Sequence, residues 1–162
     1  MPSTGSPPLA SAHASKSYLR DGRAPIPRLP ATSRIMSANR GRGTSPELRL
    51  RNALRDIGVR NFQSNFSAIP GRPDIAFPGR RLAVFVNGCF WHRCPHCGPS
   101  TPKTHVAFWS AKFAANKARD ARKLRELRER GWATLSIWEC RLKRDPKRAA
   151  GRVVRRLKSL SS

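Results

Sequence analysis

The stretch GRPDIAFPGRRLAVFVNGCFWHRCPHC, residues 71–97, contains two predicted strands and a loop rich in cysteine. Residues 75–77 follow a turn built from proline, glycine and aspartate, and residues 77–81 (FPGRR) predict a second tight turn. Residues 82–86 (LAVFV) are continuously apolar, which is typical of a central strand buried on both faces. We therefore predict a hairpin that begins at Asp74.

Helices and further strands are predicted on both sides of this hairpin. Upstream, Ser45 can cap a helix, Pro46 suits its first turn, and Gly58 ends it. The remaining predictions are an exposed strand at 62–67, an irregular segment at 88–103, a helix at 106–130, a strand at 132–138 and a helix at 146–160. This order of elements predicts a single α/β domain at residues 44–160.

The charge of the chain is strongly unbalanced. Its 162 residues include 33 Lys and Arg but only 9 Asp and Glu, which gives a formal net charge of +24. Such an excess argues against a generic soluble metabolic enzyme and favours a polyanionic partner, nucleic acid above all. An acidic membrane surface is the alternative polyanion, although no apolar run approaches the ~18 residues that a membrane span requires.

The N-terminal residues 1–43 are rich in proline, serine, glycine and alanine and carry scattered basic residues. They offer too little apolar surface to offset the entropy of folding, so we predict a disordered basic arm. The arm could contact phosphates without sequence preference, or it could be an inert extension. It has no apolar core of the kind found in secretory signals, so we expect a cytosolic protein.

Two acids of the predicted domain are candidates for phosphodiester chemistry. Glu47 lies in the first turn of the predicted helix, and Asp74 lies where the hairpin begins. Mg2+ prefers oxygen ligands, and once bound it polarises a phosphate and activates water. Asp74 is therefore a candidate magnesium ligand. The alternative is that it only starts the strand or pairs with Arg72.

The cysteines are clustered in the C-terminal half, at Cys89, Cys94, Cys97 and Cys140. In a reducing cytosol, such clustering indicates metal binding before it indicates disulfides. Four thiolates complete the tetrahedral shell of a structural zinc ion and leave no open position for water. Four buried free thiols are the alternative, and His92 and His96 are competing nitrogen donors.

Two large aromatic residues, Phe90 and Trp91, lie inside the cysteine-rich loop and directly precede His92. In a strongly basic protein, aromatic side chains on a rigid loop can wedge between base pairs. Ordinary core filling is the alternative. His92 could be a metal ligand, a general acid or base, or a polar loop residue.

Four motifs read together resemble the very-short-patch-repair (Vsr) family of DNA mismatch endonucleases. They are GRPD at 71–74, VNGCFWHRCPHC at 86–97, FW at 108–109 and WEC at 138–140. Residues 33–51 are also similar to the N-terminal motif of that family, and the resemblance extends to residue 145. It implies an α/β, restriction-endonuclease-like fold, in which helices flank a mixed sheet and a structural zinc site is present.

The resemblance implies an enzyme that nicks one strand of duplex DNA 5′ to the thymine of a T:G mismatch. Such mismatches arise when 5-methylcytosine deaminates. Asp74 and the backbone carbonyl of Val86 would bind the catalytic Mg2+. His92 would activate water or protonate the leaving oxygen, and Glu47 would orient the histidine or a metal-bound water.

The resemblance also assigns roles to the loop. The implied ligands of the structural Zn2+ are Cys89, Cys94, Cys97 and Cys140. Some members of the family use histidines for zinc where this chain offers Cys94 and Cys97, so we expect His96 to be a spare donor. Phe90, Trp91 and Trp109 match aromatic residues that intercalate beside the mismatch. Asn87 stands where a familiar nuclease pattern has a charged residue, and we place it among the DNA-contacting residues.

Two rival functions stay open at the level of sequence. One is a noncatalytic zinc-containing DNA-binding module, in which Asp74 and Glu47 are structural. The other is a nuclease of the same fold with a different DNA target. In the leading interpretation we expect a monomer in the bacterial cytoplasm, associated with the nucleoid, whose partners are mismatched duplex DNA and accessory repair proteins.

Overall fold

The computed structural model describes residues 43–160, so the predicted arm lies, except for Gly43, outside the described residues. The first helix, α1, spans Ser45–Asp56. Thr44 is its N-cap residue, so the predicted cap at Ser45 is wrong by one position. Gly58 adopts a φ of 81° just beyond the helix, in the left-handed conformation that commonly ends helices.

A four-stranded mixed sheet forms the centre of the fold, in the order β1-β2-β3-β4. The strands are β1 (Gln63–Ser64), β2 (Ile75–Phe77), β3 (Leu82–Asn87) and β4 (Ala133–Trp138). Strands β1, β2 and β3 pair antiparallel, whereas β3 and β4 pair parallel. The predictions of a mixed sheet and of a buried strand in residues 82–86 are confirmed, with Leu82, Ala83 and Val84 fully buried.

The parallel pair β3 and β4 brings two distant segments to one edge of the sheet. Asn87 is the register partner of Trp138, so the cysteine-rich loop and the chain after β4 leave the sheet side by side. Asp74 immediately precedes β2, whose Ile75 pairs with Val84 in β3. The metal-ligand candidates therefore converge at this edge.

Helix α2, Val106–Glu129, connects β3 to β4. It buries Trp109, Phe113 and Leu127, while most of its charged residues face solvent. Gly131 follows the helix with a φ of 74° and allows the turn into β4. Residues 88–103 form no helix or strand, as predicted.

Two helices complete the fold, α3 (Glu139–Arg144) and α4 (Pro146–Lys158). Helix α4 was predicted, whereas α3 was not. The Asp145 carboxylate accepts a hydrogen bond from the Arg148 N–H at 2.8 Å and so caps α4. The core lies between these helices, α1 and the sheet, and includes Leu50, Leu54 and Val153.

The predicted strand at 62–67 is wrong in its length, because only Gln63–Ser64 forms a ladder. Asn65 has a left-handed φ of 51°, which breaks the extended conformation. The flanking aromatic rings pack inward, Phe62 against Phe77 and Phe66 against Trp132, at centroid distances of 5.9 and 6.1 Å. Between residues 43 and 160, none of the helices is both long enough and apolar enough to cross a membrane.

Candidate active site and metal centre

A pocket of about 340 Å³ at the edge of the sheet brings together residues from α1, the sheet, the cysteine-rich loop and α2. Glu47 comes from α1, Asp74 from the turn before β2, His92 from the loop after β3, and Asp120 from α2. Asn87, the last residue of β3, also lines the pocket. The sequence predicted the first three of these residues and Asn87 as site residues, but not Asp120.

Asp74 is held by the backbone of both neighbouring segments. The Val86 N–H donates to its Oδ2 at 2.7 Å, and the Asn65 N–H donates to its carbonyl at 3.0 Å. Burial raises the pKa of Asp74 to about 6; the Val86 N–H partly offsets this effect, and the nearby Glu47 carboxylate adds to it. The protein thus leaves the charge of Asp74 incompletely compensated, as suits a carboxylate that binds a cation.

Glu47 is buried, with 4% of its surface exposed, and much of its hydrogen bonding is local. Its Oε1 accepts from the Thr44 hydroxyl at 2.8 Å, and its Oε2 accepts from the Gly43 N–H at 2.8 Å and from Arg51 at 3.3 Å. Glu47 therefore anchors the start of α1. Within residues 43–160 it makes no hydrogen bond to His92, so an orienting role there would have to pass through water.

His92 is oriented by Asp120. The Nδ1 atom of His92 forms a short hydrogen bond with Asp120 Oδ2, and Lys123 and Arg119 lie 3.8 and 3.9 Å from Asp120 Oδ1. Burial raises the pKa of Asp120, but His92, with Lys123 and Arg119, outweighs burial and holds that pKa below its usual value. Because Nδ1 is engaged, proton transfer to or from a substrate falls to Nε2.

The four cysteines converge on one point. Their Sγ atoms lie within 4.8 Å of one another, and those of Cys94 and Cys140 are 3.7 Å apart. Thiolates around one tetrahedral zinc ion, with Zn–S bonds of about 2.3 Å, lie about 3.8 Å apart. The donor set is wholly sulfur and is drawn from two segments that leave adjacent strands. These residues therefore fit a structural zinc ion.

Backbone contacts support the cysteine cluster. The His96 N–H donates to Cys94 Sγ at 3.4 Å, and the Cys140 N–H donates to Cys89 Sγ at 3.3 Å. The Cys89 N–H donates to Glu139 Oε2 at 3.2 Å and ties the loop to the first turn of α3. The imidazole ring of His96 packs against Trp138, with ring centroids 6.3 Å apart.

The aromatic residues of the loop belong to a cluster on α2. Phe90 contacts Trp91, Trp109 and Phe113 edge-on at centroid distances of 5.1 to 5.4 Å. Trp109 is 8% exposed, whereas Phe90 and Trp91 are half-buried. The buried Asn116 donates to the Trp91 carbonyl at 3.0 Å, a contact that the sequence did not predict. Trp109 thus supports the two loop rings, which keep part of their surface accessible.

Replacing Asp74 by asparagine should stabilise the metal-free protein near neutral pH. The raised pKa of about 6 means that the neutral carboxyl stabilises the fold fully below about pH 4, and that this effect is lost as the pH rises through 6. Above that pH the partly buried charge of Asp74 costs up to ~3 kcal/mol of stability, which an amide avoids.

We therefore expect Asp74→Asn to melt several degrees higher at about pH 7, and the difference to disappear near pH 4. Thermal unfolding without added Mg2+ measures this, in buffer free of chelators that would strip the cysteine cluster. The matched control is Asp56→Asn at the exposed end of α1. Equal melting of Asp74→Asn and wild type at both pH values would contradict the assignment of a partly buried, incompletely compensated charge at Asp74.

The chain is similar to a known protein family and to several curated proteins. Residues 30–97 match the model of the family described as DNA mismatch endonuclease Vsr. The chain is 43% identical to the type II nicking enzyme V.XorIIP of Xanthomonas oryzae pv. oryzae over 67% of this chain and 79% of the relative. It is 41% identical to the type II nicking enzyme V.NaeI of Lentzea aerocolonigenes over 80% of this chain and 76% of the relative.

A third relative carries the name of the family. The chain is 38% identical to the DNA mismatch endonuclease Vsr of Escherichia coli strain K12, over 68% of this chain and 70% of the relative. The resemblance seen in the sequence motifs is thereby confirmed, and with it a restriction-endonuclease-like mixed α/β fold. The chain belongs to the Vsr family of DNA mismatch endonucleases.

Proposed function

We propose that this protein is a Mg2+-dependent endonuclease that nicks duplex DNA 5′ to the thymine of a T:G mismatch, in very short patch repair. One observation carries the proposal: a single pocket gathers Asp74 and the His92–Asp120 pair beside a cysteine-anchored loop with aromatic residues. A noncatalytic DNA-binding module would not require a partly buried carboxylate with a raised pKa in the same pocket as an oriented histidine.

The residues of the pocket would have different roles in hydrolysis of the phosphodiester bond. Asp74 and the Val86 carbonyl would hold Mg2+, which when bound neutralises phosphate charge and activates water. His92 would use Nε2 to accept a proton from water or to give one to the leaving oxygen. Asp120 would keep the ring in position and stabilise its protonated form. Arg119 and Lys123 line the same pocket and would attract the phosphate.

The four cysteines would hold Zn2+ with a structural role. The ion would fix the loop 88–97 to the first turn of α3, where Cys140 lies. With four sulfur ligands the shell is closed, so this ion would not bind the reacting water. A fixed loop holds its aromatic side chains in place before DNA arrives, which lowers the entropic cost of binding.

Mismatch recognition needs an interaction that depends on how easily the base stack opens. Contacts between basic side chains and phosphates do not distinguish T:G from C:G. Inserting the half-buried Phe90 and Trp91 between base pairs would cost a few kcal/mol, because neighbouring bases must unstack. A T:G wobble pair would resist this insertion less than a matched pair. Trp109 would serve as the support behind them rather than as the leading wedge. Asn87, at the wall of the pocket, would contact the DNA near the scissile phosphate.

His92→Ala should slow cleavage by about 100- to 10,000-fold, because general acid–base catalysis supplies roughly that factor. Asp120→Asn should slow it less, since the imidazole remains but loses its charged partner. Single-turnover rates at saturating enzyme measure both effects, and binding of the uncut duplex should change little. A loss below threefold for His92→Ala would remove this residue from the chemistry.

Trp91→Ala should lose the preference for T:G by at least about tenfold, which is about 1.4 kcal/mol. The salt dependence of binding should hardly change, because no phosphate contact is removed. The matched control is Trp132→Ala, another half-buried tryptophan, which packs against Phe66. If Trp91 is only a core residue, its removal will lower the melting temperature and weaken matched and mismatched binding equally.

The proposal is tested by single-turnover cleavage of duplexes that differ in one base pair. We expect rapid nicking of T:G and slow or no nicking of C:G and of other mismatches. Equal rates on every duplex would indicate a nuclease of the same fold with another target. Band shifts without product would indicate a binding module.

The oligomeric state, cellular location and partners that we propose follow from the same function. We propose a monomer that acts in the bacterial cytoplasm, at the nucleoid, and hands the nicked strand to accessory repair proteins. The net charge of +24 supports this setting, because it favours DNA and opposes self-association.

A further inference from the structure

A second groove, of about 450 Å³, lies along α3 and α4. Its basic lining residues are His96, Arg141, Arg144, Arg148, Arg152 and Arg155. Asp145 is the one acid of the lining, and its carboxylate is engaged in capping α4. None of these residues lines the pocket around Asp74, so the groove is a separate feature of the surface.

The spacing of the arginines explains how the groove forms. Positions 141, 144, 148, 152 and 155 follow one another at intervals of three or four residues, which places them along one side of two consecutive helices. Helix α4 uses Ala149, Ala150 and Val153 for the core, so its remaining face is free to carry charge. Packing of the core therefore does not require arginine at these positions.

The arginines are not balanced by acids. Within the described part of the chain, none of the five lies within an ion-pair distance of a carboxylate, whereas Lys143 on α3 pairs with Glu139 at 2.6 Å. Like charges three or four residues apart destabilise a helix. An array that costs helix stability and is not neutralised within the fold is suited to bind an external polyanion.

The dimensions of the array fit a nucleic-acid strand. Arg148 and Arg155 are seven residues apart on α4, which corresponds to about 11 Å along the helix axis. A duplex strand presents one phosphate about every 3.4 Å of its axis, so the array covers about three phosphates. The guanidinium group also matches phosphate oxygens with paired hydrogen bonds.

The groove lies close to the proposed active site along the chain. His92 lines the Asp74 pocket and His96 lines the groove, and the two are four positions apart in the cysteine-anchored loop. Their Cα atoms are at most about 14 Å apart. One turn of DNA is about 34 Å long, so the end of the groove formed by His96 is within a turn of the point where a strand would be cut.

We propose that this groove binds the phosphate backbone of the duplex on one side of the mismatch, within one helical turn of it. The inference rests on the proposed function for the identity of the DNA. Arg148, Arg152 and Arg155 would contribute to DNA affinity by contacting the duplex beside the mismatch. Their contribution would not depend on the mismatch itself.

The test compares Arg148→Gln/Arg152→Gln/Arg155→Gln with Lys147→Gln/Arg156→Gln/Lys158→Gln. Both variants remove three positive charges from α4, but only the first removes them from the groove. Fluorescence anisotropy between about 50 and 200 mM salt gives affinities and salt slopes. The probes are a T:G duplex of about three helical turns and one of roughly one turn, about 10 base pairs.

For the groove variant on the long duplex, we expect the salt slope to shrink by about two to three and the affinity at low salt to fall at least tenfold. On the short duplex the loss should be much smaller, and the control variant should resemble wild type on both. Equal losses in the two variants, or equal losses on the two duplexes, would overturn the proposal.

Further measurements distinguish loss of DNA contacts from misfolding of the variant and from binding of the groove to a membrane. Arg155→Gln alone, an exposed position, should reduce the slope by about one if the triple variant misfolds. The control variant Lys147→Gln/Arg156→Gln/Lys158→Gln should cleave at the wild-type rate. A failure of the proposed nuclease function would be seen separately, as absence of cleavage by the wild-type protein itself. Loss of binding to phosphatidylserine vesicles with unchanged DNA affinity would assign the groove to a membrane and contradict the proposal.

Discussion

Replacing Asp74 by asparagine is expected to reduce nicking of a T:G duplex at least about a hundredfold, because loss of a ligand removes several kcal/mol of metal-dependent stabilisation. The amide can still accept the hydrogen bond from the Val86 N–H, so the local structure should persist. Affinity for the uncut duplex should stay close to that of wild type. Together with the higher melting temperature expected for the same variant, this result would separate a catalytic role from a structural one.

Asp56→Asn is the matched control, because Asp56 is an exposed acid at the end of α1 and lies outside the pocket. It should cleave like wild type. Undiminished nicking by Asp74→Asn would refute the catalytic assignment. Loss of nicking together with a lower melting temperature would instead identify Asp74 as a structural residue at the start of β2.

Replacing Cys140 by serine is expected to have the largest effect on folding. The wild-type protein should retain one equivalent of zinc after dialysis. The binding energy of structural zinc, roughly 10 to 16 kcal/mol in small peptides, contributes directly to folding. Because Cys140 joins α3 to the loop that carries the other three sulfurs, its loss should release the metal and unfold or aggregate the domain.

His96→Ala is the control for this experiment, since the His96 ring lies against Trp138 and the cluster is complete without it. It should keep a full equivalent of zinc. Metal content by atomic spectroscopy and thermal unfolding measure the two variants. A wild-type melting curve with one zinc retained in Cys140→Ser would show that Cys140 is not a ligand.

The parts of the fold that were predictable have strong local signals. Strand β3 is an apolar run between turn residues, and α2 is long enough for its periodic apolar positions to stand out. The cysteine cluster was predictable because the chemistry of zinc demands four soft ligands whatever the fold around them. Three of the four cysteines lie in one loop, so only Cys140 had to be brought to them from a distant part of the chain.

The short helix α3 could not be predicted in the same way. Its six residues, Glu139–Arg144, bury only Leu142, so they show no helical period. The helix begins directly where the parallel pairing of β4 with β3 ends, at Trp138. That end point depends on contacts between residues about fifty positions apart, which local propensity does not encode.

The His92–Asp120 pair was missed because its two members are 28 residues apart and meet only through the packing of α2 on the loop. One signal was present in the sequence. Asp120 is the single acid between Lys112 and Arg125, in a stretch otherwise rich in lysine and arginine. An isolated acid of this kind on a basic helix is a candidate partner for a nearby histidine.

The most direct test of the account is to map the cut in a duplex that contains one T:G pair, with each strand labelled in turn. We expect one product, from the thymine strand, cut at the phosphate 5′ to the thymine, and only when Mg2+ is added. A C:G duplex of the same sequence should stay intact at the same enzyme concentration. Cleavage of the guanine strand, equal cleavage of the matched duplex, or binding without any cut would contradict it.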